Sequence, residues 1–473
     1  MRCFLSILIL LFTLMSCEQA EEQPTVKNVI VIGGGLMGSS TAWELSKAGE
    51  EVLLLEQQDS VYTYGSSYGE ARITRNLGTE YDMFSFIQHL SVTETEELIR
   101  YLNEADNNNN HTMNEVYRTS PVTYIRYQSQ QDEVDELVKD PDVELTYAAG
   151  KDDAKRRFDM NIPDSLRIIR EYKAYSGTMN PKVLIHKLHQ AVKYKGNRVQ
   201  YNNRVTALTQ ADSLYRVRVE NTQTGEMNTI LCRKVVAAAG PYNGQLVQNL
   251  APYFARLITP SRLFLAYLKI KPDVYNGLSD QEKEKLNDAY PVLDHDDELF
   301  YSMFENTDEA GVPILKVGGH YLRSAIDSLD QAWKIKVSQE EINWSKQHTA
   351  AYLEMLNLPV QMEDLEYVKG YSCVYSLTDS EVPYVTHRVN SNQQVDSSFV
   401  LVGGMSGVGA KGSLAYGLMA ANLLTNKTDT SYMYQKTIRN LGTSRLLEDL
   451  DNLYEPYEGG KTAVNVKKTN SNH

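Results

Sequence analysis

Gly33, Gly35 and Gly38 form a G-x-G-x-x-G run, and an acid, Glu56, closes the next apolar segment. The first glycine permits a tight turn, the second lets the backbone approach a pyrophosphate, and the third lets helix and strand pack closely. Free N–H groups at the start of the following helix then hold the phosphate charge. Glu56 stands where a carboxylate hydrogen-bonds both ribose hydroxyls, which argues against a 2′-phosphate. The chemistry is dinucleotide binding, and the motif by itself leaves FAD and NAD open. Two more segments set cations among small residues: Gly65–Arg75, with Arg72 and Arg75 three apart, and Gly403–Gly412, with Lys411. Taken alone, the two arginines read as a solvated helix start. Placed soon after the ribose acid, they suit a loop and helix crossing under a flavin ring.

These residues need elements to hold them. Val26–Ile32 is an apolar run suited to a buried parallel strand, and a helix follows the glycines, with Gly49 as its C-cap. Glu51–Leu55 is the second strand, completing a Rossmann-type βαβ unit. Arg233–Ala239 is another apolar strand, closed by Gly240, Pro241, Tyr242 and Asn243; Phe399–Val402 is a third, leading through the Lys411 turn into a helix over Ser413–Leu424. Lys316 falls in an apolar strand, Pro313–Val317, where a lysine alternating with apolar neighbours reads as a solvated face. His320 alone is an ordinary core or surface histidine. Cys373 reads as a buried structural thiol or as a partner for Cys232. His186 and His189 read as surface residues, and no cysteine or carboxylate cluster completes a metal site, so no metal is expected. Asn107–Asn110 is an exposed loop, and Leu446, Leu447, Leu450 and Leu453 recur at the spacing of one last packed helix.

Composition bounds the rest. The 473 residues include 47 basic and 61 acidic side chains, a net charge of −14, so a nucleic-acid-binding surface is not expected. Four cysteines in this length exclude a disulfide scaffold. Two of them, Cys3 and Cys17, sit at the front. Residues 1–16 read as a signal peptide, too short for a membrane span. Leu14-Met15-Ser16-Cys17 resembles a bacterial lipobox, and residues 17–25 read as a tether. The expected location is an exported, membrane-anchored lipoprotein, periplasmic or at the cell surface; cleavage near Ala20 would instead give a secreted protein.

Taken in order, the motifs resemble the monomeric sarcosine oxidase and N-methyltryptophan oxidase family of FAD-dependent amine oxidases, which has a glutathione-reductase-like FAD domain. The resemblance runs from about Val26 to about Asn426 and rests on the glycine run with Glu56, Gly65–Arg75, Gly240–Asn243, Leu315–His320, Gly370–Tyr375 and Gly403–Lys411. It implies that Cys373 carries the FAD 8-methyl group through a thioether. Lys316 would lie over the flavin and activate oxygen, with His320 and Arg72 beside it as catalytic residues. Arg75 and Lys411 would bind the substrate carboxylate, the arginine as a two-pronged fork and the lysine as a point charge, with Tyr375 an aromatic substrate contact. The implied cofactor contacts are Gly33, Gly35, Leu36, Met37, Gly38, Glu56, Gly65, Ser66, Arg72, Val205, Gly240, Cys373, Gly404, Gly407, Gly409 and Lys411.

The chain departs from the family at Ser67 and Tyr68, where histidines are common, and at Val317–His320, which has glycine where tyrosine is frequent. That glycine is expected to enlarge the pocket beside His320. In the acidic Pro272–Glu309 stretch only Tyr301 is suggested as a pocket residue. The expected fold is α/β, a discontinuous FAD-binding domain (26–103, 164–241, 367–440) interleaved with a mixed-sheet substrate domain (104–163, 242–366), followed by a C-terminal helix and tail (441–473). The expected activity is oxidation of a secondary-amine amino acid, sarcosine or another N-methyl or cyclic amino acid, to an imine, with O2 reduced to H2O2 by a monomeric enzyme. The alternatives are a flavin dehydrogenase passing electrons to a quinone or other carrier, and a non-catalytic surface-anchored binding lipoprotein.

Overall fold

The computed structural model describes residues 26–454 apart from residues 80, 142, 327 and 391. The expectations for the signal peptide, the Cys17 lipobox, the tether and the tail beyond 454 lie outside the described residues.

An eight-stranded sheet is built around the first apolar run, Lys27–Ile32. That strand pairs in parallel with Val52–Leu55 on one side and with the end of Met227–Ala237 on the other. Val395–Gly403 continues the parallel set next to Met227–Ala237. The two faces of the opening strand go to different partners, as period-two alternation requires. Val29 and Val31 meet the helices Leu36–Lys47, Pro181–Tyr194 and Ser413–Thr425. Ile30 and Ile32 meet Tyr215 and Val217 of an antiparallel meander, together with Leu446 and Leu450 of the last helix, Thr443–Tyr454. Burial on both faces is why Val29–Ile32 is apolar throughout.

A nine-stranded mixed sheet forms the second layer. Its spine is the Thr259–Ile270 strand, paired antiparallel with both Leu365–Leu377 and Pro313–Gly318. Tyr301–Thr307, Val292–Asp294 and Val122–Tyr127 continue it outward. The small Arg72–Thr74 strand belongs to a separate three-stranded sheet with Gly177–Met179 and Tyr117–Thr119.

Two strands fall on the other side of the expected boundaries. Leu166–Glu171, assigned above to the FAD-binding segments, hydrogen-bonds to Val122–Tyr127 and Leu145–Ala149 in the second sheet. Leu365–Leu377, assigned likewise, is the long partner of Thr259–Ile270. Pairing across the chain, not local pattern, decides which sheet a strand joins.

Candidate active site

One cavity of about 420 Å3 runs between the two sheets, a size ordinary for a ligand site. Its dinucleotide end is shaped by the glycine turn. Gly33 has φ of +100°, and a Cβ there would lie 2.6 Å from the Ala238 carbonyl oxygen. A Cβ on Gly38 would lie 1.8 Å from the Gly33 carbonyl oxygen, so only glycine lets the helix start this close to the strand. The helix Leu36–Lys47 begins without a side-chain cap and without an acidic residue in its first turn, which suits it to an anion. Glu56 accepts from the Gly34 N–H (2.7 Å) and the Gln58 N–H (2.8 Å), and burial pushes its carboxyl above the usual range. Behind the turn, Ser39 donates to the Gly34 carbonyl (2.7 Å) and contacts His189 Nε2 (2.8 Å), while His189 Nδ1 meets the Tyr201 hydroxyl (2.8 Å). His189 is therefore a buried, neutral brace and not the surface residue expected; burial lowers it to about 3.

The middle of the cavity holds Arg72, Lys316 and Cys373. The Arg72 guanidinium donates to the carbonyls of Ser66 (3.0 Å), Tyr68 and Ala71 (2.8 Å), clasping its own loop. Ser67 accepts from the Leu36 N–H (3.2 Å), and Tyr68 packs edge-on to Tyr371 at 5.0 Å, so these two residues tie the loop to both sheets. Lys316 is fully buried, not on a solvated face. It donates to the Ala71 carbonyl (2.8 Å) and forms an ion pair with Glu305. Burial, then the nearby Arg72 charge, pulls its ammonium down to about 7 against the opposing pull of Glu305. Cys373 and Cys232 are both free, buried thiols, so no disulfide joins them. Burial raises the Cys373 thiol, while Arg72 and Lys316 act in the opposite sense.

At the far end Arg75 stands 5.9 Å from the Tyr124 ring centre, and Lys411 stands 5.3 Å from that of Phe84. Neither cation makes an ion pair among the described residues. Burial and the Arg75 charge lower Lys411 to about 7, against Asp82 and Glu171. Burial raises the Tyr301 and Tyr375 phenols, and the two side chains lie close enough to act on each other. His320 is pushed down to about 4 by burial and then by Arg323, so it is neutral at pH 7. The expected enlargement beside His320 does not occur. A Cβ on Gly318 would lie 2.5 Å from the Tyr301 hydroxyl, and one on Gly319 would lie 2.4 Å from the Trp344 ring. Aromatic side chains from other elements occupy the space a side chain would have filled.

The FAD dependent oxidoreductase family model matches residues 28–423. The chain belongs to this family. Its cofactor is FAD, and the glycine turn, uncapped helix start and Glu56 fit that group. Over 408 residues this FAD-dependent oxidoreductase is 22% identical to monomeric sarcosine oxidase of Bacillus sp. (strain B-0618), covering 85% of this chain and 93% of that one. A probable sarcosine oxidase of Arabidopsis thaliana is 47% identical over 60 residues, 13% of this chain and 14% of its own. In fold the chain is similar to NikD, described as an unusual amino acid oxidase (TM-score 0.64, 17% identity, 88% of this chain and 98% of that one). Glycine oxidase from Bacillus cereus is another neighbour (TM-score 0.59, 15% identity, 86% and 97%).

Most of the residues expected at the site of this oxidoreductase do share the cavity wall: Gly33, Gly35, Leu36, Met37 and Glu56; Gly65, Ser66, Arg72 and Arg75; Val205 and Gly240; Lys316 and His320; Cys373, Tyr375, Gly407, Gly409 and Lys411. Gly38 and Gly404 do not. Gly38 lies behind the turn as a packing position, and a Cβ on Gly404 would face Thr378 at 2.4 Å, away from the cavity. Sequence reasoning missed Glu305, Tyr267, Tyr371 and Trp333. Glu305 falls at a break in strand register between Phe304 and Asn306, so period-two alternation from Tyr301 does not predict where it points. Outside the cavity, Asp296, Glu298 and His348 come within 4.8 Å of one another with no motif to announce it, although no metal cluster was expected. The Trp344 indole donates to Glu298 at 2.5 Å.

Proposed function

We propose that the protein oxidises the C–N bond of a secondary-amine amino acid, sarcosine or another N-methyl or cyclic amino acid, to an imine, with O2 reduced to H2O2. The observation that carries this reading is the pair of cations, Arg75 and Lys411, which make no ion pair among the described residues and stand at one end of a cavity whose other end binds a dinucleotide. Two such cations suit a substrate carboxylate, and fixing it orients the C–N bond. FAD held by the glycine turn and Glu56 would supply the two-electron acceptor for the substrate, with O2 as the terminal oxidant. Neutral His320 and the Tyr301–Tyr375 pair line the space for the amine side, where uncharged groups do not repel an ammonium losing its proton. Lys316 supplies a fixed positive charge where negative charge develops on oxygen. Cys373 is the residue through which FAD is joined to the chain. The names of the matched relatives support the amine chemistry.

The test is to reduce the purified protein anaerobically with a panel of N-methyl and cyclic amino acids, then admit air and measure peroxide. Bleaching of the flavin bands followed by stoichiometric peroxide is expected. No bleaching with any member would defeat the reading, and bleaching without peroxide would move it to a dehydrogenase with another acceptor. The leader-like residues 1–16 and Cys17 support an exported, lipid-anchored location, which labelling with a radioactive fatty acid and a Cys17→Ser comparison would test.

A further inference from the structure

Glu305 sits where the Tyr301–Thr307 strand breaks register with Pro313–Gly318, between the Phe304 and Asn306 pairings. Its carboxylate is anchored without help from the lysine. One oxygen accepts from the Glu70 N–H (2.6 Å) and the Tyr267 hydroxyl (3.2 Å), and the other from the Ala71 N–H (3.0 Å). That second oxygen also meets Lys316 Nζ. The remaining groups facing Lys316 are Arg72 from the clasped loop, Tyr267 from the spine strand with its ring centre 5.7 Å away, and Cys373 from the strand beyond, while Tyr371 packs on Tyr267. Burial and Arg72 both favour the neutral amine; among the described residues the carboxylate in contact is that of Glu305.

We propose that Glu305 is a positioning residue that keeps Lys316 an ammonium and points it at the cavity from a fixed carboxylate. The inference rests on the flavin oxidase reading given above, because it concerns the cation beside the flavin. A lysine so placed without its anion would release its proton to water and become a neutral amine. An amine carries no fixed positive charge for an anion forming on oxygen. The neighbouring Arg72 guanidinium is held to its own loop by three carbonyls, and its charge favours the neutral form of the lysine.

The experiment compares wild type, Glu305→Gln and Lys316→Met as flavin-loaded proteins. The oxidised flavin spectrum is titrated from pH 5 to 9, and reoxidation of the reduced enzyme by air is followed at pH 6 and 8. Wild type should show a spectral transition near neutrality that moves at least one pH unit lower in Glu305→Gln and vanishes in Lys316→Met. Reoxidation of Glu305→Gln at pH 8 should fall about tenfold and recover partly at pH 6, with flavin reduction by substrate changed less than twofold. Glu305→Asp keeps the charge but withdraws it by one methylene; it serves if the glutamine variant does not fold, and should shift the transition in the same direction by less. An unshifted transition with unchanged reoxidation in the substituted protein would overturn the inference. If wild type is bleached by amino acids but that result is found, this inference alone fails; if wild type is not bleached, the proposed function fails first.

Discussion

The Tyr301 hydroxyl lies where a side chain on Gly318 would begin, 2.5 Å from the position of a Cβ there. A glycine on one strand thus admits a tyrosine from the next, and that tyrosine reaches Tyr375 on a third. Gly318→Ala should push the Tyr301 hydroxyl away from Tyr375, raise KM for the amino acid by about tenfold, and lower stability by roughly 1–3 kcal/mol from overpacking. Adding Tyr301→Phe to Gly318→Ala should then cost little more, because the hydroxyl contact is already lost. Steady-state kinetics and thermal unfolding check both; an unchanged KM in the single variant would refute the coupling.

The proposed role of Lys411 predicts pH-dependent carboxylate binding. In the free protein its ammonium is held down to about 7, so an anionic ligand meets a charged lysine below that pH and a neutral amine above it. The Kd of an amine-free carboxylate such as methoxyacetate should be flat at low pH and rise above pH 7, approaching about tenfold per pH unit. Lys411→Met should weaken binding by roughly 10- to 100-fold, the scale of one charge-assisted hydrogen bond, and remove the slope. Ligand titration against the flavin spectrum measures it, and a wild-type Kd constant to pH 9 would contradict the assignment.

The proposed thioether has a direct readout. Wild type precipitated with acid should keep its yellow colour in the pellet, and Cys373→Ala should release it to the supernatant. Mass spectrometry of the peptide containing Cys373 should show one flavin mass in wild type. Cys232, whose thiol burial pushes up to about 12 on the other sheet, should carry none.

Glu44 controls stability on the alkaline side. It is buried in the Leu36–Lys47 helix, 2.9 Å from Lys47, and burial raises its carboxyl to about 8 even though Lys47 opposes this. The folded protein therefore keeps a proton that an unfolded chain releases near the ordinary value of 4.5. The stabilisation from this proton is complete below 4.5 and is lost as pH rises toward 8, at about 1 kcal/mol per pH unit, levelling off above. Glu44→Gln should raise Tm at pH 8.5 and flatten that part of the profile. A lower Tm at pH 8.5 would show that the Lys47 pairing outweighs the burial cost.

What could be read from the residues in order was what is local. The glycine turn, the Glu56 strand end and the Lys411 turn each lie within one short segment, so spacing identified the dinucleotide turn and its acid, while the resemblance gave Lys411 its place at the site. The roles of Lys316 and Cys373 came through resemblance, since strand periodicity read Lys316 as solvated and its burial depends on Glu305 and Tyr267 arriving from other strands. Glu305 itself was invisible because acid in an acidic stretch carries no pattern, and a bulge decides where it points. The strands at Leu166 and Leu365 were misassigned between sheets for the same reason: pairing is a long-range property. His189 was read as surface because its partners, Ser39 and Tyr201, lie far off in sequence on one side and across a loop on the other.

Asn243 joins two ends of the nucleotide sheet, accepting from the Ala239 N–H (2.8 Å) and donating to the Val402 carbonyl (2.7 Å). Val402 precedes the turn bearing Lys411, and that turn closes the cavity over walls set down as early as Gly33. During synthesis, then, a ribosome must release nearly the whole polypeptide before any intermediate has a complete flavin site. Cofactor capture is a last step of maturation, and C-terminal truncations ahead of residue 412 should accumulate as colourless apoprotein however well the opening βαβ unit has formed.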